Sequence, residues 1–357
     1  MAEQDALPWG DGTATGIGSM PGDNPLETAR VIAGELPALP HLAELPGRGP
    51  GADMIGRAAA LLIDMPTEIT PRGWHIAERP GRDLRRARSY LSTDLDVTEE
   101  ALDGYEGPLK LQVAGPWTLA ATMEQPRSLN PALADPGLVA DLAASLAEGL
   151  AAHVADVARR VPGATIIVQL DEPSLSAVGA GAIPTASGIS RVRVPDEEIL
   201  RERLRQVTSA TTGYTVVHSC SHDVAFGVIR GAGADGLSLD ISQLRTSELD
   251  DFGEAAEAGL GLLLGFTDRP SAADPGDRGQ GDRGGPPSRG DSTSAARRTA
   301  DAVAGLWRKL TLPPAQLTRQ VVVTPSCGLA GYSPAQARDE LRRCAEAARI
   351  LPEMMGD

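Results

Sequence analysis

Cysteine is scarce in this chain. Three in 357 residues cannot staple a protein of this size, which excludes a disulfide-built secreted scaffold and points to reduced thiols. Positive charge is also in deficit: 33 Lys and Arg against 48 Asp and Glu leave a net charge of −15. Over most of such a surface a nucleic-acid backbone or an anionic lipid is repelled, so neither nucleic acid nor membrane is an expected partner. The opening residues, Met-Ala-Glu-Gln-Asp, carry no basic stretch followed by an apolar run. No secretory signal is therefore expected, and the expected location is cytoplasmic. Long hydrophobic runs are missing as well. The most apolar helical stretch, Leu138–Val161, is interrupted by Asp141, Glu148, His153, Asp156, Arg159 and Arg160, which argues against a bilayer span.

What is present is enough apolar material, 41% of residues, to bury a sizeable core. Short runs of β-branched and apolar residues alternate with longer helical patterns, the signature of repeated βα units. Candidate strands fall at Thr13–Ser19, Leu39–Glu44, Leu109–Ala114, Thr165–Leu170, Tyr214–His218, Gly236–Asp240, Gly261–Phe266 and Gln320–Pro325. Eight such units favour an α/β fold of the (β/α)₈ TIM-barrel type over an open doubly wound sheet, with residues 1–357 forming a single domain. Asn24-Pro25 followed by Glu27, and Ser333-Pro334 after the last strand, read as helix starts. The long stretch between the second and third strands, which includes Trp74, forms an excursion on one face of the barrel. Residues 268–294 are rich in Gly, Pro, Asp and Arg and nearly free of aliphatic side chains, so they are expected to form a disordered loop after the seventh strand.

In a parallel barrel the reactive residues sit at the carboxyl ends of the strands. The fifth candidate ends in His218-Ser219-Cys220, the sixth in Asp240, and the eighth runs into Ser326-Cys327-Gly328. Alternate residues of an extended chain point the same way, so His218 and Cys220 can face one point. One imidazole, two thiolates and a carboxylate make a donor set suited to zinc. A buried cysteine can equally be a small apolar residue, which is the reading for Cys344 inside the last helix. His222 could compete as a ligand but is expected in the first turn of a helix, exposed or behind the ligands, and His75 and His153 are not ligand candidates. The fourth strand ends in Asp171-Glu172-Pro173, where one carboxylate must point inward and an acid before the proline can cap the next helix. The second strand brings Glu44 to the same face. The Gly16-Ile17-Gly18-Ser19 turn permits close backbone approach but lacks the spacing of a dinucleotide site. So acidic a mouth suits a substrate that carries an amino group.

Taken in order, the segments TGIGSMPG, PHLAELPGRGPGADMIGR, AGPWTLA, VQLDEPSL, VVHSC, SLD and TPSCGL resemble the catalytic barrel of cobalamin-independent methionine synthase, from about Thr15 to Tyr332. The resemblance implies a barrel related to uroporphyrinogen decarboxylase and zinc held by His218, Cys220, Asp240 and Cys327. It also implies methyl transfer to homocysteine sulfur, in methionine biosynthesis. Homocysteine contacts carry over to Ile17, Ser19, Glu44 and Asp171, with Asp171 also taking a catalytic part. Three departures accompany it. Asp240 stands where the family has Glu. The chain leaves no room for the family's second, folate-binding barrel. The stretch Gly265-Phe266-Thr267-Asp268-Arg269 has no counterpart of the histidine that protonates the departing folate. The expected methyl donor is thus either a methylated corrinoid protein or a methyltetrahydrofolate. The resemblance leaves open another thiol acceptor, and a barrel that binds zinc or thiols without turnover.

Overall fold

The structure, a computed structural model, describes residues 7–266 and 289–355. Chain order begins with an extended amino-terminal region and then the excursion, which contains helices Met54–Leu61 and Arg82–Ala101 and an antiparallel hairpin, β1 (Thr67–Thr70) and β2 (Gly73–Ile76). Asp53 ties these together. Its carboxylate caps the first helix through Gly56 N–H at 2.9 Å and accepts the Trp74 indole N–H at 3.1 Å.

Six parallel strands follow: β3 (Gly107–Ala114), β4 (Ala164–Asp171), β5 (Tyr214–Ser219), β6 (Gly236–Asp240), β7 (Gly261–Gly265) and β8 (Val321–Thr324). They pair in sequence order to give an α/β fold around a curled parallel sheet. Helices cover the outside, so both sheet faces are buried and the strands read as apolar runs: all of β7 and β8 is buried.

The first two expected strands differ from the other six. The segment around Thr13–Ser19 and the segment around Leu39–Glu44 are joined to the sheet by isolated bridges, Ala14 beside Val323, His41 beside Lys110, and Ser19 beside Glu44. Backbone bonds mark these points: Thr15 N–H to Val323 O at 3.0 Å, Leu42 N–H to Lys110 O at 2.9 Å and Met20 N–H to Glu44 O at 2.8 Å. Regular ladders fail here for local reasons. Pro40 has no N–H to give, and the chain turns at Gly18, whose φ is +157°.

Helix Pro136–Arg160 buries Val139, Leu142, Leu146, Leu150 and Val157 at helical spacing. Against the expectation from its charges, it is long and apolar enough to cross a membrane by length and composition. Its apolar side is packed in the core, each such side chain contributing about 1.5–3 kcal/mol of burial. Asn24 caps helix Pro25–Glu35 through Glu27 N–H, and Ser333 and Gln336 cap each other at the start of helix Pro334–Met355. The expected loop 268–294 is corrected at its end, because helix Arg289–Lys309 already covers residues 289–294. Residues 268–288 lie outside the described residues.

Candidate metal and thiol site

The carboxyl ends of β4, β5, β6 and β8 and the two bridged segments meet at one mouth. Register sets the neighbours: Asp171 lies beside His218, and His218 beside Ser238. His218 is buried, and its Nδ1 is 2.9 Å from the Ser238 hydroxyl oxygen. Its Nε2 is buried and makes no hydrogen bond. Cys220, half-buried just past β5, and Cys327, at the exposed rim past β8, interact with each other, and Cys327 also interacts with the His218 ring. The Cys220 thiol and then His218 hold the Cys327 thiol well below its ordinary range, while Cys220 is pushed up by the same contact.

Asp240 is the candidate that stands apart. It is buried at the end of β6, but its Oδ1 accepts from Ser242 N–H at 2.9 Å and from the Ser242 hydroxyl at 2.6 Å. Burial raises its pKa, and the charge on Cys327 adds to the rise. Among the described residues no three His, Cys, Asp or Glu side chains close into a formed metal centre. The arrangement is a thiol pair facing an imidazole, with the carboxylate one step away.

Ile17 and Ser19 reach the same place. Ser19 carbonyl accepts Leu329 N–H at 2.7 Å, and a Cβ on Gly328 would sit 2.0 Å from Ser19 Oγ, so a larger residue there would displace the Ser19 hydroxyl. Glu44, bridged to Ser19, is buried and lies 3.4 Å from Arg57 Nε; Arg57 in turn pairs with Asp94, which also binds Arg48 at 2.8 Å. Burial raises Glu44, with Arg57 opposing. Burial also pushes Asp171 up to about 7, with His218 opposing and Glu44 adding to the rise. Of the adjacent acids, Asp171 points inward. Glu172 caps helix Pro116–Thr122, which precedes it in the chain: it accepts Trp117 N–H at 2.9 Å and Thr118 N–H and hydroxyl at 2.7 Å each.

The remaining candidates have plain roles. His222 is exposed in a bend, with the next helix starting only at Phe226. Cys344 is buried in the last helix. His153 is buried beside a cleft of about 480 Å³ between the outer helices, away from the mouth. Sequence reasoning missed Lys110, Gln112, Gln169 and Ser238, all buried around the mouth or beneath it. The available signal was Lys110-Leu111-Gln112, polar residues two apart within an otherwise apolar strand.

No family model matches this sequence, and no curated protein matches it either. Among solved structures, a B12-independent methionine synthase from Shewanella sp. W3-18-1 in complex with selenomethionine superposes over 81% of this chain and 75% of that one, with 13% identity and a TM-score of 0.48. A likeness at this level carries no weight for activity or ligand.

Proposed function

We propose that this chain is a zinc-dependent methyltransferase that places a methyl group on the thiol of homocysteine to give methionine. The observation that carries this reading is the state of His218: Nδ1 is engaged by Ser238, Nε2 is buried without a hydrogen bond, and the Cys327 thiol, itself against Cys220, stands beside the ring. Leaving such a nitrogen unpaired costs about 1–3 kcal/mol, and a soft-to-borderline cation is the partner that imidazole and thiolates share. The Ser238 contact fixes the ring so that Nε2 is the atom presented, as an outer partner of a ligand histidine does.

His218, Cys220 and Cys327 would hold the ion, with Asp240 as the fourth and weakest ligand because Ser242 already engages it. When bound, zinc would supply the charge that deprotonates the substrate thiol and keeps it as the nucleophilic thiolate. Two thiolates and a carboxylate against a dication leave 2 − 3 = −1, so electron density stays on sulfur. Glu44 and Asp171 bind the substrate ammonium and the Ile17–Ser19 turn borders it, so that the sulfur faces its donor in a nearly unimolecular geometry. A closed eightfold barrel is part of the same reading, supported by the backbone bonds that carry the two amino-terminal segments from β8 round to β3.

The donor that fits best is a methylated corrinoid. The sulfur–carbon bond forms as the cobalt–carbon bond breaks, and cobalt leaves with the electron pair, so no proton is needed. A folate amine must be protonated as it leaves, and no histidine follows His222 in this chain. The second reading is a different thiol acceptor; the two buried carboxylates favour one that bears an ammonium. The test supplies zinc-treated protein and homocysteine with methylcobalamin, methyltetrahydrofolate or its polyglutamate. Methionine from the corrinoid is the expected result. Methionine from the polyglutamate alone would overturn the donor assignment, and none from any donor would overturn the activity.

A further inference from the structure

Beneath the mouth lies a fully buried lysine, one of only two lysines among 33 basic residues. Lys110 Nζ donates to Ile17 O at 2.8 Å and to Gln169 Oε1 at 2.9 Å, with Gln112 Oε1 at 3.5 Å. Gln169 Nε2 donates to the same Ile17 carbonyl at 3.0 Å and to Asp171 Oδ1 at 2.7 Å. Gln112 Nε2 donates to Leu42 O at 2.6 Å. Side chains of β3 and β4 thus grip both amino-terminal segments where regular ladder bonds stop. An ammonium suits the place: it is compact and carries three donors, where a guanidinium is a planar fork.

The amide of Gln169 could stand either way round. Lys110 has no acceptor, so its contact, together with the two acceptors on the other side, turns Gln169 Oε1 toward the ammonium and its NH₂ toward Ile17 and Asp171. We infer that Lys110 is a positioning residue for substrate recognition: it holds the Ile17 turn and, through Gln169, fixes the Asp171 carboxylate in the orientation that receives the ammonium of an amino-acid thiol. Without Lys110 the Gln169 oxygen loses its donor and the Ile17 carbonyl one of its two, so the amide that orients Asp171 is no longer anchored. Asp171 and Glu44 both lie within electrostatic reach of Lys110, and burial is the main influence that lowers its pKa, to about 8.

This inference rests on the substrate reading proposed above. Calorimetric binding of L-homocysteine and of 4-mercaptobutanoate, which has the same thiol and carboxylate but no ammonium, separates the two. Zinc-treated wild type should prefer homocysteine. Lys110→Met should weaken homocysteine about tenfold or more, the scale of a lost charge-assisted hydrogen bond, and leave the amine-free thiol nearly unchanged. Gln169→Met should do the same, and it carries the test if Lys110→Met does not fold. Equal loss for both ligands would make the lysine a structural element only, and unchanged homocysteine binding would remove the role altogether; either overturns the inference. Wild type that binds neither thiol, or both equally, would sink the substrate reading and this inference with it.

Discussion

At the scale of single residues, burial decides how the titratable groups behave. His153 is buried in helix Pro136–Arg160, and desolvation lowers its pKa to about 4 from an ordinary 6.5. Above pH 6.5 both folded and unfolded chains hold it neutral. Between 6.5 and 4 the unfolded chain takes up a proton that the folded chain refuses, so stability falls as the pH is lowered through that window. Urea unfolding at pH 7.5 and pH 5 should show wild type losing about 2 kcal/mol more than His153→Gln. Parallel losses in the two proteins would show that His153 does not report the pH change.

The residue-level reading of the site was uneven for a physical reason. His218, Cys220 and Cys327 could be singled out because rare metal-binding residue types stood at strand ends, and the structure sets Cys327 against both of the others. Lys110 and Gln169 could not, because their significance lies in partners 93 and 59 residues away in sequence. Arg57 was likewise hidden: its value comes from meeting Glu44 and Asp94 across the excursion.

At the scale of elements, Glu172 joins two of them. It satisfies the first N–H groups of the short helix Pro116–Thr122 from the end of β4, and Gly115 is the residue that lets it in, since a Cβ there would lie 2.4 Å from Glu172 Oε1. Removing the carboxylate leaves buried donors without an acceptor. Glu172→Ala should cost about 2–4 kcal/mol and lower the calorimetric unfolding midpoint by several degrees. An unchanged midpoint would contradict the cap. The adjacent-acid pattern led to one carboxylate facing in and a cap on the next helix, whereas Glu172 caps the preceding one. It could not show that the capped helix comes earlier in the chain, because that depends on which strands are neighbours. Similarly, β3 to β8 were readable as apolar runs. The segments around Thr13–Ser19 and Leu39–Glu44 carried the same residue types but are held by side chains and single bridges, which no periodicity records.

At the scale of the whole molecule, parallel order brings residues from positions 17 to 327 to one end of the sheet. In the proposed reading, donors from β5 and from the loop past β8 would share one ion because the parallel order opens both at the same end of the curled sheet. Charge follows the same plan: a chain at −15 keeps two cations, Lys110 and Arg57, next to the carboxylates of its mouth. The account stands or falls on whether that mouth holds a metal. The most direct measurement is elemental analysis of the purified protein beside Cys220→Ser, Cys327→Ser and Asp240→Asn. The account predicts one zinc per chain in wild type, near-complete loss in either cysteine variant, and partial loss in Asp240→Asn. Wild type without zinc, or Cys327→Ser with its full complement, would contradict it.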